Sequence, residues 1–187
     1  MEFESVPLGS RWGGPEQNFY APGDVVHIEN GIEMSVEWFY LNQFSGFFWA
    51  EVIGPQNDHQ LALDNINVMF DLTNVGFDVT SLTVEYMELG GGNNFAVNGG
   101  SIMQLSSLMD LPSNVAGGVT ITQFELDPQT HRTQITLTGD LDNLLIGGQE
   151  LIIDSIVAVP EPTSLLLLGA GGALAMLRRR RRDLSSR

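Results

Sequence analysis

Ile32, Met34, Val36, Trp38 and Tyr40 fall on one side of an extended run, with Glu33, Ser35, Glu37 and Phe39 on the other. A period of two belongs to a strand with one face buried, and it excludes a helix at the same positions. Comparable runs cover residues 44–53, 66–72, 79–89, 119–126, 131–138 and 150–157, separated by clusters of Gly, Asn, Asp and Pro. Before residue 157 no segment carries the apolar period of a long amphipathic helix, and only residues 103–111 leave room for a short one. Parallel strands need crossover helices. The pattern therefore predicts an all-β body, an antiparallel two-sheet sandwich of jelly-roll type with about eight to eleven strands. Gly90-Gly91-Gly92-Asn93-Asn94 and Asn98-Gly99-Gly100 read as turns on either side of a short strand at 95–97.

Charge divides the chain in two. The 187 residues hold 8 basic and 23 acidic side chains, a formal net charge of -15. Every basic residue is an arginine, and only Arg11 and Arg132 lie within residues 1–157, which carry all the acids except Glu161 and Asp183. Such an acidic body offers no clustered cations to displace phosphate counterions, so nucleic acid is excluded as a partner. There is no cysteine, which removes thiolate catalysis, disulfides and cysteine-ligated zinc.

The last thirty residues have a different composition. Pro160 and Pro162 bracket Glu161 and bias the residues before them toward extended backbone, marking residues 158–163 as a stiff linker. Residues 165–177 carry no charge; Leu165, Leu166, Leu167, Leu168, Leu174 and Leu177 give them their apolar character, and Arg178, Arg179, Arg180, Arg181 and Arg182 follow at once. As a helix this run is about 20 Å long, against a hydrocarbon core of about 30 Å. Thr163 and Ser164 extend it into the interface, and the arginines snorkel while holding their end in the cytoplasm. The expectation is a β-domain at 1–157, the linker at 158–163, and a single transmembrane helix with its basic tail at 164–187.

Val159-Pro160-Glu161-Pro162, the apolar run and the arginine block, in that order, resemble the PEP-CTERM sorting signal of exported bacterial proteins. The resemblance implies recognition by an exosortase, an integral-membrane transpeptidase-like enzyme. It also implies cleavage near the Pro-Glu-Pro triplet, delivery to the cell surface or extracellular polysaccharide, and at least transient anchoring in the membrane. The opening MEFESVPLGSRWGGPEQ has no basic-apolar-small export signal, so export predicts such a segment upstream of Met1. The body is similar to exported β-sandwich domains that precede this tail, and more distantly to jelly-roll carbohydrate-binding modules. The likeness rests on Phe3-Glu4 with Pro7-Leu8-Gly9, Asn65-Ile66-Asn67-Val68 with Phe70-Asp71, and Ile146-Gly147-Gly148-Gln149-Glu150-Leu151 with Ile153-Asp154.

In a jelly roll the first and last strands lie side by side, which would bring Glu4 to Asp154. Two converging carboxylates need a cation between them, and calcium, which takes six to eight oxygens, is the expected one. Trp38 and Trp49, within an aromatic concentration from Trp38 to Trp49, are the expected carbohydrate platform. His27, His59 and His131 are scattered, no serine sits in a Gly-x-Ser-x-Gly elbow, and the glycine-rich run lacks the lysine and helix of a P-loop. The sequence thus describes a non-enzymatic, surface-targeted structural or adhesive domain. A calcium-dependent carbohydrate-binding domain is the alternative, and a polysaccharide hydrolase the third reading.

Overall fold

The structure, a computed structural model, describes residues 1–13, 23–39, 48–55 and 58–160. Its strands are β1 (Arg11–Trp12), β2 (Val25–Glu29), β3 (Ile32–Trp38), β4 (Trp49–Ile53), β5 (Gln60–Asp64), β6 (Ile66–Asp71), β7 (Val79–Val97), β8 (Met103–Leu105), β9 (Thr120–Asp127), β10 (Arg132–Thr138) and β11 (Asn143–Pro160). Every pairing is antiparallel. The all-β expectation therefore holds. Instead of two separate sheets, the strands form a single hydrogen-bonded network.

Two long strands, β7 and β11, build that network. They pair with each other from Leu144↔Val97 to Pro160↔Val79. The first half of β11 also pairs with β6, which leads outward to β3 and β2; the second half pairs with β5, which leads to β4 and β1. On the far side of β7, the first half carries β10 and β9, and the second half carries β8. The sheet therefore has two wings joined by one shared strand pair. Their inner faces meet in one hydrophobic cluster that includes Met34, Val68 and Phe70 from one wing and Leu82, Leu137 and Ile156 from the other. This curls the sheet into a nearly barrel-like form.

A continuous strand can serve both wings only if it bends, and glycine makes the bend. The run at residues 90–94, expected to be a turn, lies inside β7. Gly91 has φ +76°, open to glycine at no steric cost. Opposite it, the β11 register slips on both sides of Glu150, and the Gln149 side chain accepts a bond from the Gly92 N–H at 2.7 Å. Slips of this kind turn strands from one layer to another. Gly and Asn favour turns; in the fold this run absorbs curvature in a strand paired along both halves.

The chain start closes on the last strand, as a jelly roll would require, but through a single residue. The Met1 amine donates to the Ile156 carbonyl, and the Ile156 N–H donates back to Met1 at 2.9 Å. The expected short helix at 103–111 is β8 followed by a 3-10 turn at Leu108–Asp110, with the Ser107 hydroxyl capping Met109 N–H. The expected transmembrane helix lies outside the described residues. Among the described residues, no helix is long and apolar enough to cross a membrane.

Candidate functional site

The carboxyl end of β11 is where the body hands over to the tail. Ile156 is fully buried, while Val157 and Val159 project to solvent. Ala158 faces Leu82, Val159 faces Ser81 and Pro160 faces Val79, so the strand runs three residues past the boundary expected at 157. Proline fits at the terminus of a strand, where its missing N–H interrupts no ladder beyond it. Beside this end lies a cavity of about 340 Å³ lined by Met1, Glu29, Ile32, Phe77, Ile156 and Ala158.

Residues 158–182 match the family model of the PEP-CTERM protein-sorting motif. The chain carries a PEP-CTERM sorting signal. The motif implies export, sorting to the cell envelope and processing by an exosortase. It opens inside the last strand: Ala158, Val159 and Pro160 belong both to the motif and to the ladder between β11 and β7. The body ahead of residue 158 lies outside the match, and no curated protein and no solved structure matches the chain. Glu161, Pro162, the leucines from Leu165 to Leu177 and Arg178 to Arg182 lie outside the described residues.

Glu4 and Asp154 are drawn to consecutive residues at the start of β5. Glu4 accepts from the His59 N–H at 3.0 Å, and Asp154 accepts from the Gln60 amide at 2.7 Å. The positive charge at Asp154 comes from Arg132, whose guanidinium bridges Asp154 and Glu85. Those carboxylates hold the Arg132 pKa above its ordinary value, the bond to Glu85 being the larger cause. Among the described residues there is no group of three His, Asp or Glu arranged to hold a metal ion. At Asp154 the neighbouring cation is Arg132.

Trp38 and Trp49 lie opposite neighbouring stretches of chain, Trp38 pairing with Ile66 and Trp49 with Asp64 on either side of the corner at Asn65. Trp38 is 53% exposed, its ring 5.7 Å from that of Phe48 at 57°. The Arg11 guanidinium lies 5.3 Å from the Trp49 ring centroid and pairs with Glu51 at 2.6 Å, so a cation already occupies that aromatic face. Of the histidines, His27 meets Glu29 at 3.3 Å, His59 is buried against the Phe3 carbonyl, and His131 lies in the turn before β10 with φ +55°.

At the bend of β7 sits a polar cluster that linear spacing did not point to. Glu88 accepts from the Asn93 amide at 2.6 Å, from Leu108 N–H at 2.6 Å and from the Ser107 hydroxyl at 2.7 Å. One carboxylate therefore ties the bend to the 3-10 turn. Around it opens a cavity of about 440 Å³ whose lining includes Gly91, Asn93, Glu125, His131 and Thr133. Tyr86 is buried next to this cluster, and its hydroxyl makes no hydrogen bond of good geometry. Burial, with the Glu88 charge adding to it, pushes the phenol pKa far above its ordinary value. Three donors on one carboxylate describe a structural clamp more than a reactive acid.

Proposed function

We propose that this chain is a non-catalytic envelope protein. Its β-body is cargo with a structural or adhesive role at the cell surface, and its tail is an address read by an exosortase. The observation that carries this reading is the sorting motif at 158–182, which starts at the last residues of the central strand. A body that ends in a completed strand keeps its fold when the tail is removed beyond Pro160. The apolar run from Leu165 and the arginine block support transient anchoring with the C-terminus inside. The acidic body suits an exported role, because it is repelled from the anionic membrane surface.

The experiment is fractionation with intact-mass measurement of the full chain, preceded by an export leader, in a host with an exosortase and in the same host lacking it. The expected result is a shortened product outside the inner membrane in the first host and the uncut chain in the inner membrane in the second. Identical mass and location in both would overturn the reading. Replacing Arg178 to Arg182 with Gln should release or misorient the uncut chain; unchanged retention would count against the anchor.

A further inference from the structure

We propose that the outer face of the sheet formed by β9, β10, β7 and β11 is a binding surface for a neutral, hydroxyl-rich polysaccharide, centred on Phe124. Phe124 is 66% exposed, the most exposed large apolar side chain in the described structure. A phenylalanine in a strand ordinarily turns inward. Here Ile121 of β9 takes the core-facing side, and Thr120, Thr122, Phe124 and Leu126 take the other.

The register places hydroxyls beside it in rows. Thr122 faces Thr136, which faces Thr83; one step along, Thr120 faces Thr138, which faces Ser81. The grid repeats about every 4.8 Å across strands and about every 6.7 Å along them. The Thr83 and Thr136 hydroxyls lie 3.5 Å apart, and the Thr120 hydroxyl donates to the Thr138 carbonyl at 3.3 Å, keeping its lone pairs for an incoming donor. Phe124 itself faces Gln134, whose side chain carries both an amide donor and an acceptor.

Charge selects the ligand class. The two hydroxyl rows carry no ionisable group on β9, β10 or β7, while the row of Phe124 ends at Glu85, which shares Arg132 with Asp154 and leaves that edge net negative. Elsewhere the body is strongly acidic, so an anionic polymer is repelled while a neutral one is not. A pyranose offers a flat C–H face to an aromatic ring and hydroxyls on its rim. One ring stacked on Phe124 places its neighbours over the threonines and Gln134. A second copy of the chain is a poorer occupant, since a stable homodimer interface needs an apolar centre and here Phe124 and Leu126 lie at one edge and Val157 and Val159 at the other, with the hydroxyl rows between them. The tryptophan corner plays no part in this surface.

The test is depletion of the purified full chain, in detergent, by insoluble cellulose, with affinity electrophoresis in a soluble neutral β-glucan and in alginate as the anionic comparison. Retention is expected with the neutral polymers, unchanged by high salt, and absent with alginate. Phe124→Ala should weaken retention about tenfold through loss of stacking, and the isosteric Thr136→Val should weaken it severalfold. Trp38→Ala should leave it unchanged. Phe124 is mostly exposed, so its variant should melt like the parent. Failure of every neutral polymer to retain the chain, or retention of Phe124→Ala equal to the parent, would overturn the proposal. So would a fall in mass by light scattering in Phe124→Ala, which would assign the face to a second copy.

Discussion

Gly147 offers the most demanding test of how the centre of this fold is held. It lies in β11 between Asn67 of β6 and Asn94 of β7, both completely buried. The Asn67 amide donates to the Trp38 carbonyl at 2.7 Å, and its oxygen accepts from the Asn94 amide at 3.2 Å. A methyl group at Gly147 would run into the Asn67 side-chain oxygen and into the backbone of Ile66 and Asn67. Backbone in the middle of a sheet cannot yield, so the side chain must swing away and the amide bonds break. Overpacking costs about 1–3 kcal/mol, and each buried amide group left unpaired adds about 1–3 kcal/mol.

Gly147→Ala should therefore lose about 3–5 kcal/mol, a large part of the 5–15 kcal/mol typical of a domain. That corresponds to a fall in Tm of roughly 6–20 °C for a chain of this size. Urea unfolding followed by tryptophan fluorescence measures it directly, and Asn67→Ala in the same chain should recover part of the loss by removing one colliding group. Gly99→Ala is the control: with φ +64° and open space around it, only backbone strain of about 1–2 kcal/mol is at stake. A loss below about 1 kcal/mol for Gly147→Ala would show that the asparagine pair does not set the spacing there.

Glu88→Ala should cost about 3 kcal/mol by orphaning Asn93 and the capped turn, and limited proteolysis should then open the segment around Leu108; an unchanged digest would refute the clamp. Tyr86→Phe removes a buried hydroxyl whose polar neighbour, Thr133, is too poorly aligned for a good bond, so stability should stay level or rise by up to about 1 kcal/mol, and a clear drop would mean the two are bonded in solution. Burial raises the pKa of Glu37 above its ordinary 4.5. The ionised form is thus penalised in the fold; this penalty is absent below pH 4.5 and grows as pH rises to the folded value. Glu37→Gln should therefore melt like the parent in acid and above it at neutral pH, and a parallel pH profile would contradict the burial argument.

How much of this was legible beforehand follows from the range over which each signal acts. Alternation at residues 32–40 reads out a strand because side-chain direction is set within two residues, and the all-β class followed from many such runs. The run of Gly and Asn at 90–94 misled for the same reason. Turn chemistry is local, whereas the pairing of β11 along both halves of β7 is not. The two faces of β9 could not be ranked from sequence either, since Ile121 and Phe124 are both apolar and only the neighbouring strands decide which one is covered. Nor could spacing show that Arg132 answers Asp154, or that Glu88 clamps Ser107 and Leu108 from about twenty positions away.

By itself the sequence determined the β-class, the acidic body and the sorting tail, because periodicity, composition and a contiguous motif are written along the chain. The tertiary structure alone decided that one bent strand pair joins two wings and that the sorting motif begins inside a strand. It also decided which aromatic ring stays outside. These depend on contacts between residues far apart in the chain, whose energies appear only once the sheet has closed around its core.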